Sequence, residues 1–229
     1  MSIVYIVSAP SGSGKSTLVA ELLRMVPSLD FSISYTTRPP RGPEQNRKEY
    51  FFVSREEFRA MIDADEFLEY ADVFGNYYGT ARRFLRDAEG RGHDLLLDID
   101  VQGASQIMRR IPDAVSIFIL PPDWETLERR LRSRGLDPEP VIRRRLDTAR
   151  REIENYTKYD YILVNNVLEQ SAGQLEDIVL SERLRRSRVE LSEEDMRRVE
   201  VAQACRLDRA RERVRPILDS FRPQVVKGT

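Results

Sequence analysis

Residues 9–16 read Ala-Pro-Ser-Gly-Ser-Gly-Lys-Ser, a set of types and spacings suited to gripping a polyphosphate. Gly12 and Gly14 let the backbone turn successive N–H groups inward around phosphate oxygens. Lys15 is long enough to reach β- and γ-phosphates, and the Ser16 hydroxyl is a suitable ligand for Mg²⁺. The apolar run Ile3-Val4-Tyr5-Ile6-Val7 before the loop reads as a strand. After it, Leu18, Val19, Leu22, Leu23 and Val26 follow a helical pattern. Strand, glycine-rich turn and helix form the setting a phosphate-binding loop requires. The helix start adds free N–H groups and the positive end of its dipole. Ala9 stands where such loops usually begin with glycine and is nearly as compact. An ordinary glycine-rich turn has no need of Lys15 and Ser16 at that junction. The loop, completed by Pro10, Ser11, Ser13 and Thr17, is expected to bind a nucleoside triphosphate.

Other chemistry-bearing groups accompany it. Asp94-Leu95-Leu96-Leu97-Asp98-Ile99-Asp100 reads as a buried strand whose end carries two carboxylates, where ligands collect in open α/β sheets. Strand alternation would put Asp98 and Asp100 on one side, one holding a metal through water and the other facing an acceptor. Arg38 and Arg41 flank two prolines that stiffen their turn, and two guanidinium groups over one concavity suit a phosphate monoester. Tyr50 and Tyr78 can each bring a hydroxyl to that phosphate. Glu69 follows Phe67-Leu68 and is placed facing inward by a helical pattern, where a carboxylate needs partners. A guanine edge offers N1–H and N2–H₂ side by side and matches one carboxylate, whereas adenine presents an acceptor at N1. Asn76-Tyr77-Tyr78-Gly79-Thr80 reads as a glycine-containing turn entering a helix. Nine arginines between 129 and 151 form either a solvated helix face or a mobile lid over a transferring phosphoryl group, with Arg134 and Arg145 the strongest lid candidates.

The elements that position these groups alternate. Strand-like runs at 3–7, 95–99, 115–120 and 161–164 are separated by helical patterns, which implies a parallel sheet with helices on both faces. The stretch from about 32 to 85 breaks the rhythm with β-like pieces at 31–36 and 50–53 and a capping box at Ser54-Arg55-Glu56-Glu57, and it reads as an inserted α+β subdomain. The last stretch, 182–229, is rich in Arg and Glu and lacks a strand pattern. It is expected to give one or two weakly packed helices interrupted at Pro216 and followed by Pro223, or a partly disordered tail.

Composition narrows the classes. Of 229 residues, 41% are apolar and 33% charged, with a net charge of −1, so nucleic-acid binding is not the main task. The lone Cys205 excludes an internal disulfide and fits a reducing compartment, and the lone His93 reads as a solvated turn residue. No apolar run reaches the roughly 18 residues of a membrane span, and Met1 leads directly into the first strand without a signal-like segment, so a cytoplasmic location is expected.

The phosphate loop, Ser-x-Ser-x-Thr-Thr-Arg-x-x-Arg at 32–41, Asn-Tyr-Tyr-Gly-Thr at 76–80, and Leu-Asp-Ile-Asp-Val-Gln-Gly at 97–103 together resemble the guanylate kinases over about residues 2–182. The resemblance implies a three-layer P-loop core, a GMP-binding subdomain at about 32–85 and a lid at about 124–151, all within 1–185. The extension 186–229 stays unexplained by it. It implies that Ser34 and Thr80 join Glu69 on the guanine with Asp98 nearby, and that Arg38, Arg41, Tyr50 and Tyr78 hold the acceptor phosphate. It also implies that Lys15 and Ser16 hold ATP and Mg²⁺, that Arg134 and Arg145 close over the phosphates, and that Asn165 lies near the adenine. GMP and dGMP would be acceptors, and the chain a monomer or homo-oligomer. A GMP phosphate oxygen is already a nucleophile, so catalysis would be alignment and charge neutralisation, with closure excluding water. A kinase for another phosphorylated small molecule would not need Ser34, Glu69 and Thr80 as a base-reading set. A non-catalytic scaffold domain would not keep Lys15.

Overall fold

A computed structural model describes residues 2–73, 75–133, 135, 138–187 and 189–222. The chain is α/β and divides into two compact units, Met1–Val7 with Val26–Ser116, and Ser8–Met25 with Ile117–Thr229.

In the first unit, β1 (Val4–Ser8), β2 (Leu29–Ser32) and β7 (Asp94–Asp98) form a parallel layer ordered β2–β7–β1. The register pairs Val4 with Leu95 and Leu29 with Asp94. Tyr5, Ile6, Leu95, Leu96 and Leu97 are fully buried, as expected of strands covered on both faces. His93 is half-exposed and its Nδ1 lies 3.0 Å from Asp30 Oδ1, so it is a hydrogen-bond partner of Asp30 rather than only a solvated turn residue. Helix α3 (Arg82–Arg91) ends on Gly92 at φ 68°, a left-handed C-cap that glycine adopts without strain.

A second sheet follows the order β4–β3–β6–β5, from β3 (Tyr35–Thr36), β4 (Phe51–Phe52), β5 (Phe67–Val73) and β6 (Asn76–Ala81). The apolar stretch at 31–36 is thus shared between two sheets, since Ser32 ends a parallel strand and Tyr35 begins an antiparallel one. Residues 76–80 are strand β6 rather than a turn, although helix α3 does follow at Arg82 as expected, and Glu69 lies on a strand and not a helix face. Cross-strand pairing decides this: β6 pairs with β5 on one side and β3 on the other. Tyr77 stacks on Phe58 at 5.4 Å inside a cluster with Tyr35, Phe67 and Phe84, while Tyr78 points to the opposite face. Helix α2 (Arg55–Asp63) covers this cluster and begins with the expected capping box, Ser54 Oγ accepting from Glu57 N and Glu57 accepting from Ser54 N. Gly79 is glycine because a Cβ there would lie 2.9 Å from the Phe67 ring.

The second unit holds α1 (Lys15–Met25), β8 (Val115–Leu120), α5 (Trp124–Ser133), α6 (Glu139–Ile153), β9 (Tyr161–Val164), α7 (Leu168–Ser187), α8 (Glu193–Ala204) and α9 (Leu207–Ser220). β8 and β9 pair in parallel from Ile117–Tyr161 to Leu120–Val164. The C-terminal helices are firmly attached. The link between α8 and α9 lies along the β9 edge, where Ile162 N donates to Cys205 O at 2.7 Å and Leu207 N to Asp160 O at 3.0 Å. Ala202, Cys205, Ala210, Val214 and Phe221 are buried. Helix α9 runs through Pro216 to Ser220, so the expected interruption does not occur. Val214 and Ile217 bury the face beside the proline, and this packing offsets the lost hydrogen bond. Pro223 lies outside the described residues.

Candidate active site

The first unit gathers the groups expected for an acceptor. A register shift between Phe67 and Glu69 on β5 sets two residues of that strand against one step of β6. Without it, Phe67 and Glu69 would share a face. With it, Phe67 enters the aromatic cluster while Glu69 pairs with Thr80 on the other side. Thr80 Oγ1 donates to Glu69 Oε1 at 2.6 Å, and both residues are buried. Burial, with the Asp100 charge adding to it, pushes the Glu69 carboxyl up to about 7, against the Thr80 hydrogen bonds and Arg110. Its second oxygen fills the space above Gly103, where a Cβ would lie 2.4 Å from Oε2.

Helix α4 (Val101–Arg110) secures β5, the edge of its sheet. Gln102, Gln106 and Arg110 stand one turn apart and donate to the carbonyls of Asp72, Tyr70 and Leu68. The Gln106 bond is 2.7 Å, the Gln102 contact 3.4 Å. Three side chains at four-residue spacing thus stand in for a neighbouring strand on both sides of Glu69.

Arg38 is buried and held by several partners. Its Nε donates to the Tyr78 hydroxyl at 3.1 Å, and Nη1 and Nη2 grip the Glu44 carboxylate at 2.9 and 3.0 Å. The guanidinium also lies 5.2 Å over the Tyr50 ring. Burial, with Asp98 and Tyr78 near, pushes the Tyr50 hydroxyl up to about 12 and keeps it a proton donor. Arg41 is exposed on the same loop, and half-buried Ser34 accepts from Phe51 N at 2.9 Å through its backbone. Asp98 ends β7. Asp100 lies beyond the strand and is the N-cap of α4, its Oδ1 accepting from Gly103 N at 2.8 Å. Strand alternation therefore does not relate it to Asp98.

The phosphate loop stands in the second unit. Gly12 and Gly14 have φ of 95° and 85°, conformations that a side chain would strain. Asn165 is buried and donates its amide to Ser13 O at 2.7 Å, so close that a Cβ on Gly14 would meet it at 2.3 Å. Arg130 reaches Ser13 O at 3.4 Å and Asn165 O at 3.1 Å. Arg145 sets its lateral edge on Ser11 Oγ at 3.1 and 2.7 Å. Lys15 opens α1, with Ser16 and Thr17 exposed in its first turn. Ser13 Oγ is buried without a partner among the described residues. A loop with two left-handed glycines and its Ser13 carbonyl pulled away by Asn165 fits a polyphosphate. Among the described residues no three His, Cys, Asp or Glu side chains cluster as a metal cage. Mg²⁺ held mainly by phosphates and water needs only one or two protein oxygens, and the exposed Ser16 hydroxyl beside the loop is an oxygen of that kind. Arg134 lies outside the described residues.

Glu44, Gln106 and Arg110 were not singled out by sequence, and Gln102, Gly103 and Arg130 were named only as parts of a motif or an arginine run, with no role of their own. The i, i+4, i+8 spacing of Gln102, Gln106 and Arg110 was a usable signal. The 117-residue separation of Arg130 from Ser13 offered none.

A phosphate loop opening a helix beside a parallel strand, with a second sheet that presents arginine, tyrosine and a buried carboxylate, defines a P-loop kinase of small phosphorylated acceptors. The guanylate kinase family model matches residues 1–182. A guanylate kinase of Koribacter versatilis is 58% identical over 223 residues, covering 96% of this chain and 95% of its own. One of Neisseria gonorrhoeae is 51% identical over 185 residues, covering 81% and 90%. The crystal structure of guanylate kinase from Anaplasma phagocytophilum matches with a TM-score of 0.68 at 36% identity, covering 80% of this chain and 87% of that one. The chain belongs to the guanylate kinase family, and its reaction is transfer of the γ-phosphoryl group of ATP to GMP.

Proposed function

We propose that this chain reads GMP through Glu69, with Thr80 fixing one carboxylate oxygen and Ser34 and Asp98 lying nearby. Arg38, Arg41, Tyr50 and Tyr78 hold the acceptor phosphate, and residues 9–17 with Lys15 and Arg145 hold ATP. The observation that carries the reading is Glu69 itself: a buried carboxylate, aimed by a strand bulge, given room by Gly103 and held by the hydroxyl and backbone N–H of Thr80. Such a group is poorly solvated until two adjacent N–H donors arrive. AMP would leave it unpaired, and a site of this kind rejects the mismatched base by on the order of 10⁴-fold.

The acceptor phosphate oxygen is anionic near neutral pH and needs no general base. The work left to the protein is to align two polyanions and neutralise their charge. Lys15 and Arg145 would draw charge from the γ-phosphoryl group, and Arg38 and Arg41 would fix the attacking oxygen. Mg²⁺, bound through Ser16 and through Asp98 by way of water, would neutralise phosphate charge; Asp100, being a helix cap, would act only at longer range. Asn165 steadies the loop through Ser13 O and lies near the adenine in this reading. Arg134 completes the lid in this reading, dGMP is accepted beside GMP, and the buried Cys205 thiol fits a reducing, cytoplasmic setting. No helix among the described residues is long and apolar enough to cross a membrane. ADP release with ATP and Mg²⁺, offered GMP, dGMP, AMP, UMP and CMP in parallel, tests the reading. Turnover confined to the two guanine acceptors is expected, and comparable turnover with AMP would overturn it.

A further inference from the structure

We propose that Glu44 is a positioning residue of the acceptor-phosphate site, holding the Arg38 side chain and the Arg41 backbone in the geometry that grips a nucleoside monophosphate. The inference rests on the reading of Arg38 and Arg41 as phosphate ligands. A guanidinium offers two edges that can form a fork, the terminal Nη1/Nη2 edge and the lateral Nε/Nη2 edge. Glu44 occupies the terminal edge through both oxygens, at 2.9 and 3.0 Å. Nη1 is then fully used, because it also donates to Pro39 O at 2.7 Å. The lateral edge is different. Nε donates to the Tyr78 hydroxyl oxygen at 3.1 Å, which leaves the Tyr78 O–H hydrogen and the second Nη2 hydrogen pointing to that side. A phosphate oxygen can enter there without displacing Glu44.

The same carboxylate closes the loop on itself. Its Oε2 accepts from Arg41 N at 2.7 Å, while Glu44 N donates to Arg41 O at 3.2 Å. Gly42 at φ 52° makes this turn possible between Pro40 and Pro43. Burial alone would raise the Glu44 carboxyl, but the Arg38 fork and the Arg41 N–H outweigh it and hold it below the usual carboxylate range. Arg38 is held on the charged side by the same pair, since its side chain is only 8% exposed and burial works against the cation. One anionic side chain therefore fixes the plane of one arginine and the backbone of the other. A carboxylate that merely kept the place of the substrate phosphate would have to leave, and its removal would tighten GMP binding.

The two roles separate on Glu44→Gln. Glutamine keeps the size but faces one guanidinium donor with its own N–H₂, so one arm of the fork is lost. Affinities for GMP and for guanosine, which lacks the phosphate, are measured by competition in the wild type, Glu44→Gln, Glu44→Asp and Arg38→Ala. Glu44→Gln is expected to weaken GMP by about tenfold and guanosine by no more than about twofold, with KM for ATP unchanged. Glu44→Asp, which keeps the charge, recovers part of the loss. GMP binding that is unchanged or tighter in Glu44→Gln overturns the inference, and so does an equal loss of guanosine, which would mean a collapsed loop. Arg38→Ala supplies the separate check: if it leaves the preference for GMP over guanosine intact, the assignment of Arg38 to the phosphate fails first.

Discussion

Lowering the pH from about 8 to about 6 protonates the carboxylate placed to read guanine, because burial has pushed Glu69 up to about 7. The protonated form turns one acceptor oxygen into a donor and opposes the guanine N–H groups. With a pKa of about 7, Glu69 is ionised about nine-tenths at the upper pH and about one-tenth at the lower, so affinity for guanine falls about tenfold across that interval. GMP is a poor probe, since its phosphate also titrates near 6. Guanosine has no phosphate, so its inhibition constant against GMP, followed between those pH values, isolates Glu69. Glu69→Gln should bind guanosine weakly at both ends and show no slope. A flat profile for the wild type would refute the reasoning, because it would mean that Glu69 is either ionised throughout or not on the base. Stability carries the opposite sign. The folded carboxyl is raised from 4.5 to about 7, so the native state binds the proton more tightly than the unfolded chain. That stability is full below about 4.5 and is lost as pH rises through about 7, a cost of about 3 kcal/mol at most. The ligand-free Glu69→Gln protein should therefore melt a few degrees higher than the wild type at about pH 8.

Gly103→Ala puts a methyl group 2.4 Å from the Glu69 Oε2 position, so Glu69 must move. KM for GMP should rise by about tenfold or more with KM for ATP nearly unchanged, read from initial rates with each substrate varied. Deleting residues 186–229 removes the backbone partners of Ile162 and Asp160 on the β9 edge and uncovers the surface that Val214 and Phe221 bury. Thermal unfolding should then begin at least several degrees lower, and an unchanged midpoint would mean that α8 and α9 do not support β9.

The parallel strands were legible because buried strands read as continuous apolar runs, as Leu95–Leu97 and Ile117–Leu120 do. The phosphate loop was legible because glycine, lysine and serine must follow one another there. Strand β6 was not. Gly79 looks like a turn residue when its neighbours in space are unknown, yet it is glycine because the Phe67 ring lies against it. Glu69 was singled out for the right chemistry but placed on the wrong element, since the bulge at its position breaks the alternation that marks a strand. Glu44 lies six residues from Arg38 across a proline-rich turn, a spacing that no helix or strand period explains. Asn165 and Ser13 are 152 residues apart, and only the fold brings them together.

The central claim is that a single buried carboxylate selects the base. The most direct measurement is kcat/KM for GMP and for AMP in the wild type and in Glu69→Gln, with ATP saturating. The account predicts a large loss with GMP, little change with AMP, and a preference that narrows by about two orders of magnitude or more. An undiminished preference for GMP in Glu69→Gln would contradict it and would place base selection on other residues.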